Sequence, residues 1–245
     1  MSSVPDAAKP KVEPERKRPR PENRRLWASV RKTKDQVFDE VLQEMQFRDP
    51  AGTKTAVCVM DGEQALQHRA LGRLKSKFPE LLIILDIIHA LEYLWKAAHV
   101  FHPQDHDSAR LWVKQRLRNI LEGDVSRVVA GMRQSATKQG FADSEREPVD
   151  IACRYFLNNK AFMKYDQYLA AGLPIASGAV EGACGHLVKD RMEITGALWA
   201  VGLDGAEAVL KIRALDKSGD FDYYWAFHTQ QEQKRRYCRL WKAAF

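Results

Sequence analysis

Residues 55–88 read TAVCVMDGEQALQHRALGRLKSKFPELLIILDII, and the class of fold turns on them. Thr55–Met60 is a short, continuously apolar run that stops at Asp61-Gly62, as a strand buried on both faces does. Glu63–Phe78 follows with apolar residues at Leu66, Ala70, Leu71 and Leu74, the spacing of an amphipathic helix. Leu81–Leu85 is a second apolar run, ended by Asp86, and Ile88–Phe101 is helical again. Strands and helices alternating with such short connections require a parallel sheet with crossover helices. Ligands of such sheets gather beyond the carboxyl ends of the strands, and both ends here carry a carboxylate, Asp61 and Asp86. Either acid taken alone is also ordinary turn punctuation after a strand.

Upstream, Leu26–Val30 has strand character, and Thr33 caps a predicted helix with Val37, Val41, Leu42 and Met45 on one face, ending before Asp49-Pro50. The expected order is therefore β-α-β-α-β-α. Residues 1–25 are rich in proline and charge and too poor in apolar residues to offset ordering entropy, so they are predicted to be a disordered basic arm. Downstream of Asp105 the strand signal ends. Ser108–Leu121, Asp124–Gln139, Ser144–Leu157 and Asn159–Ala171 each show helical periodicity, with breaks at Gly123, Gly140 and Asn158-Asn159. Asp204–Leu215 and Phe221–Lys242 are two further helices. The expected organisation is an arm (1–25), a β/α segment (26–103), an all-α insertion (104–172) and a C-terminal helical part (173–245).

The 245 residues are 45% hydrophobic, enough for a real core. No apolar run approaches the roughly 20 residues of a membrane helix, and the charged N-terminus has no apolar signal core. The expectation is a cytoplasmic protein without membrane contact. Cys58, Cys153, Cys184 and Cys238 form no CxxC pair, which argues against a zinc site and for reduced thiols. Of the net charge of +7, five units lie between Lys9 and Arg25, where Arg16, Lys17, Arg18 and Arg20 cluster. Nucleic acid would thus meet a basic arm and local patches rather than a uniformly positive body; a solvated linker that binds nothing fits the same charges. The aromatic start of the last helix (Phe221, Tyr223, Tyr224, Trp225, Phe227) is expected to pack into a core rather than serve as a base-stacking platform, and Trp95 and Trp112 are expected in the core.

A second decisive stretch is Leu173–Trp199, LPIASGAVEGACGHLVKDRMEITGALW. Pro174 and Ser177-Gly178 form a turn before a helix starting near Ala179, placing Glu181 in its first turn, with Glu181, Gly185 and Lys189 on one face. Val180, Cys184, Leu187 and Val188 supply a mostly apolar opposite side. An acid at a helix N-terminus commonly does no more than complement the helix dipole. A strand-end Asp61 and a later Glu181 on a separate element also suit a pair of hard cations roughly 4 Å apart, as used in phosphoryl transfer.

The local sequences resemble the ISKra-type insertion-sequence transposases, members of the wider group with an RNase H-like fold and an Asp-Asp-Glu triad. The resemblance runs from about Arg20 to Phe227. It rests on PRPENRRLWASV, VMDGEQ, LDIIHALEYLWKAA, SATKQG, KYDQYLAAGLPIASGAVEGACGHLVKDRMEITGALW, GAEAVLKIRAL and GDFDYYWAFH. It implies that Asp61 is the second Asp and Glu181 the Glu, that Asp86 and His89 form an Asp-x-x-His signature, and that Mg²⁺ or Mn²⁺ is the cofactor. It implies DNA, as transposon ends and target, for the partner, and a homo-oligomer in the intact family member. Lys189 and Arg191, near Glu181, are either idle surface charges or contacts to DNA phosphate. His89 is either a metal ligand or, as expected here, a helix-start residue hydrogen-bonded to Asp86.

The family's first Asp belongs on a first strand that continues into two antiparallel strands, whereas Asp61 leads at once into a helix. The expected fold is thus a helix-dominated α/β protein with an incomplete RNase H-like sheet of two or three strands, and an N-terminally truncated or inactive copy lacking the first Asp. The family pattern places a basic residue at Gly185 and Arg at Leu198, two further departures, and Gly185 weakens its helix by about 1 kcal/mol relative to Ala. In the expected sheet Trp27–Val30 covers the vacant edge of Thr55–Met60. A non-catalytic remnant that binds DNA or a partner through the basic arm and helical insertion is the alternative. An unrelated RNase H-like nuclease is a third, weaker one.

Overall fold

The computed structural model describes residues 21–195 and 202–242. The chain forms two compact units, a larger one of residues 27–210 and a smaller one of 1–26 with 211–245. Helix dominates, with a two-stranded parallel sheet.

In the larger unit, α1 (Lys34–Arg48) starts at a capping box between Thr33 and Gln36 and stops at Asp49, before Pro50. β1 (Val57–Met60) pairs in parallel with β2 (Leu82–Leu85), Val57 opposite Leu82 and Met60 opposite Leu85. The crossover between them is α2 (Gln64–Arg69), which continues as a π-helical turn over Ala70–Leu74. Strand alternation sends Cys58, Met60 and Ile83 into a small core with Ala70, Leu74 and Phe78, lined by Phe38, Val41, Leu42 and Met45 of α1. Val57, Val59 and Ile84 face the other way, into the main core. Both faces of the sheet are covered, as a parallel pair requires.

That main core is built by α3 (Ile87–Phe101), α4 (His106–Leu121), α5 (Val125–Gln139) and α6 (Asp143–Asn159). Ala90, Leu94, Ala97, Met132, Ala136, Ala152 and Phe156 are fully enclosed. Asp105 caps α4 through the Ser108 amide, and Gly140 ends α5 in the left-handed conformation. Trp112 is buried and Trp95 packs against this core, as expected. The helix expected over Asn159–Ala171 is divided. α6 runs through the expected break to Asn159, a single 3₁₀ turn spans Lys160–Phe162, and α7 covers Tyr165–Ala170. Met163 and Tyr165 are drawn into the core, and the chain bends to bury both.

The strand expected at Leu26–Val30 does not form, so the sheet keeps two strands and Trp27–Val30 does not cover the edge of β1. A buried carboxylate captures this segment instead. Glu207, in α10 (Gly202–Ser218), accepts the Ser29 hydroxyl at 2.8 and 3.0 Å and the Val30 amide at 3.0 Å. A charged acceptor makes a stronger bond with that amide than a ladder carbonyl would.

In the smaller unit, the Leu26 amide donates to Ser218 Oγ at 3.0 Å, and Arg25 lies 3.7 Å from Asp220. α11 (Phe221–Lys242) begins after Gly219. Its aromatic start is not core packing. Tyr223, Trp225 and Phe227 are 81, 56 and 58% exposed, and the rings stack along the helix, Phe221 on Trp225 at 6.1 Å. The helical spacing of these rings puts them next to one another, and among the described residues no second element covers them.

Candidate functional site

Asp61 and Asp86 follow Met60 and Leu85, the last paired residues of the sheet, so they stand side by side, and the Asp86 amide extends the ladder by donating to Met60 O at 2.8 Å. Their surroundings then diverge. Asp61 is exposed; its Oδ1 accepts the Glu63 amide at 3.0 Å, an Asx turn that leads into α2. Among the described residues its Oδ2 takes no hydrogen bond. Its main-chain carbonyl accepts the Tyr155 hydroxyl at 2.7 Å. Gly62 follows at φ +87°, and a Cβ there would lie 2.8 Å from Leu85 Cδ1 and 3.0 Å from the Tyr155 hydroxyl. The close packing of strand end, α6 and α2 therefore requires this glycine.

Asp86 is fully buried. One oxygen caps α3 by accepting the Ile88 amide at 2.9 Å; the other accepts the Ser177 amide at 3.2 Å and the Ser177 hydroxyl. The Ile87 amide donates to Ile175 O at 3.0 Å beside them. Three neutral donors thus satisfy a carboxylate that has no basic partner among the described residues. His89 does not bond to Asp86 as expected. Both Asp86 oxygens are already engaged, and the His89 Nδ1 lies 3.6 Å from Glu92 Oε2 one turn along.

Ser177 leads into α8 (Gly178–Cys184), which passes into a π-helical turn over Gly185–Lys189 and a last turn, α9 (Asp190–Met192). The start matches expectation, with the Val180 amide bonded to Ser177 O at 2.6 Å. Glu181 lies in α8, one turn beyond Ser177; its side chain is outside the described residues, and so is its separation from the Asp61 carboxylate. A π-helical turn covers Gly185–Lys189, and Gly185 and Lys189 remain on one side of the helix across it. The apolar side is mostly uncovered, since Leu187 is buried while Val180 and Cys184 are exposed. Lys189 and Arg191 are exposed. Arg16, Lys17, Arg18, Arg20 and Leu198 lie outside the described residues.

Two tyrosines missing from the sequence reading support the strand ends. Tyr155 stacks on Tyr93 with centroids 3.8 Å apart while its hydroxyl holds Asp61. Tyr165 donates to Leu85 O at 2.9 Å. Burial, reinforced by neighbouring tyrosines and by Asp61 or Asp86, pushes both phenols well above the ordinary tyrosine range, so both remain donors at neutral pH. Within a helical pattern nothing separates such tyrosines from core aromatics. Cys58, Cys153 and Cys184 are free thiols, in line with expectation, and the Cys238 side chain is not described.

As to a metal, the exposed Asp61 carboxylate has the hard oxygen chemistry that Mg²⁺ or Mn²⁺ takes, with Oδ2 uncommitted. Asp86 is buried with both oxygens hydrogen-bonded, so it is not open to an ion as Asp61 is. Among the described residues no three His, Cys, Asp or Glu side chains converge, and the Glu181 side chain is not among them. No helix among the described residues is long and apolar enough to cross a membrane. The chain matches no protein-family model, no curated protein and no solved structure.

Proposed function

We propose that this chain is a DDE-type transposase polypeptide of the ISKra type that binds DNA, with Asp61 and Glu181 as two of the acids of a phosphoryl-transfer site. One observation carries the reading. The two stretches that bear these acids, VMDGEQ and LPIASGAVEG, meet at one end of the sheet, because Asp86 beside Asp61 is bonded to Ser177 one turn before Glu181. Asp61 and Glu181 are the residues that would hold Mg²⁺ or Mn²⁺. When bound, such ions supply Lewis-acid activation of the attacking oxygen and neutralise charge on the leaving 3′-oxygen. Lys189 and Arg191, on the surface beyond Glu181, would bind DNA phosphates, as would Arg16, Lys17, Arg18 and Arg20 of the basic arm.

The resemblance calls for a third acid on a strand next to β1. Among the described residues β1 has only β2 as a neighbour, and no strand carries that acid. The reading therefore assigns DNA binding without strand transfer to this chain. A non-catalytic DNA- or partner-binding remnant is the second reading, favoured by the sealing of Asp86, which leaves Asp61 as the exposed acid of the pair.

Fluorescence anisotropy with duplex DNA tests the assignment. Binding should weaken steeply between 50 and 200 mM salt, by about tenfold or more for a few phosphate contacts, and no strand transfer should appear with Mg²⁺. Absence of DNA binding at low salt would overturn the transposase reading. Metal-dependent strand transfer abolished by Asp61→Asn would show that the site is complete. Mn²⁺ binding lost in both Asp61→Asn and Glu181→Gln favours two metal-holding acids over the remnant.

A further inference from the structure

We infer that Asp86 and Ser177 act as a latch that sets the position of the helix bearing Glu181, so that Asp86 is a positioning residue and not a metal ligand. The inference rests on the assignment of Glu181 to the site made above; the latch itself rests only on geometry.

The helix α8 with its continuation to Met192 needs an external hold. Leu187 is its one buried residue among those whose side chains are described. A helical run of this length, Gly178 to Met192, is marginal by itself in water, and glycines at 178, 182 and 185 lower its propensity further. Apolar packing therefore supplies little of its position. What ties its start to the sheet is a set of hydrogen bonds at the carboxyl end of β2. The Ser177 amide and hydroxyl both donate to Asp86, and the Ile87 amide donates to Ile175 O just upstream.

Asp86 suits this task because its own place is fixed twice over. It directly follows β2, and its other oxygen caps α3 through the Ile88 amide. A buried carboxylate without a basic partner must keep its donors, since losing them leaves a desolvated charge. Ser177 is correspondingly committed. Its hydroxyl donates to Asp86 rather than serving its own helix. Glu181 follows four residues later, roughly 6 Å along the helix axis, so a shift at Ser177 is passed directly to the backbone that carries it. Tyr155 plays the matching part for Asp61 by holding its carbonyl. In both cases the hold is a hydrogen bond at or just before the acid's own main chain.

The test uses the full chain and hydrogen exchange followed by mass spectrometry, comparing peptides over 178–192 with peptides over 128–136 in the main core. In Ser177→Ala, exchange over 178–192 should accelerate by about tenfold or more while the core peptides stay unchanged. Ser177→Thr, which keeps the hydroxyl, should restore the slow exchange. Unchanged exchange over 178–192 in Ser177→Ala, or equal acceleration in both regions, would overturn the latch. Mn²⁺ binding, read by electron paramagnetic resonance, provides the second arm. Loss of a group that orients a ligand typically weakens metal binding 10- to 100-fold, so a fall of about tenfold is expected in Ser177→Ala. If Ser177→Ala frees the helix but Asp61→Asn leaves Mn²⁺ binding intact, the metal reading fails and the latch stands. If Asp61→Asn weakens Mn²⁺ binding but Ser177→Ala leaves both the helix and the metal untouched, the latch fails and the metal reading stands.

Discussion

The helical body from α3 to α6 and the segment from Gly178 to Met192 belong to the same unit but are held by different forces. In the body, each helix buries a stripe of side chains, and Phe156, Met132 and Leu94 are fully enclosed. In the segment, Leu187 alone is buried among the described side chains, and position is set by hydrogen bonds to Asp86. The body owes its stability to apolar burial, spread over many residues and tolerant of small shifts. The segment relies on a few directional bonds, so it is placed accurately while remaining cheap to move. Under the proposed function, a site admitting DNA would gain from being mounted on the second kind of element, with the first kind as its base.

The largest effect expected from breaking this contrast is in the body. Phe156→Ala should cost about 3–5 kcal/mol, and Leu187→Ala in the segment only about 2 kcal/mol, because the looser segment can collapse around the loss. Urea unfolding of the two variants measures the difference, and equal costs would show that the segment is as firmly packed as the body.

Where the end of the sheet meets the body, Gly62→Ala should destabilise the chain by about 1–3 kcal/mol. The new methyl meets Leu85 and the Tyr155 hydroxyl, and φ is +87°. A variant with an unchanged urea midpoint would mean that the strand end and α6 are less tightly joined than these distances imply.

A gentler probe is thiol chemistry. Burial pushes the Cys58 thiol up to about 11 from its ordinary 9.0, and burial also raises Cys153, whereas Cys184 in the segment is exposed. At pH 8, Cys184 should therefore be alkylated first, with Cys58 and Cys153 reacting only as fast as the fold opens, as peptide mapping would reveal. The sign for stability follows from the raised value. The folded state prefers the protonated Cys58, so its contribution is complete below pH 9 and is lost as pH rises through about 11. Alkaline unfolding should begin in that window and move to higher pH in Cys58→Ala if the small core tolerates the change.

The smallest effect has the opposite sign. A Cβ at Gly185 would meet nothing within 4 Å, so Gly185→Ala should strengthen the segment by about 0.5–1 kcal/mol and slow its hydrogen exchange. Faster exchange would show that the π turn depends on glycine.

Sequence alone determined the elements whose cause is local. Thr33 marks the start of α1, the apolar runs closed by Asp61 and Asp86 mark β1 and β2, and helical periodicity marks α3 to α6 to within two residues at either end. Each of these is a repeat or a cap written within a few neighbouring residues. Tertiary structure decided what depends on the choice of partner. Ser29 and Val30 bond to the buried Glu207 instead of joining the sheet, the rings of α11 stay exposed because no described element covers them, and His89 lies beside Glu92 while Asp86 takes its bonds from Ile88 and Ser177. A carboxylate after a strand reads the same in sequence whether it stays open, like Asp61, or is sealed, like Asp86. The difference comes from which distant donors the fold brings within about 3 Å, and no local pattern encodes that.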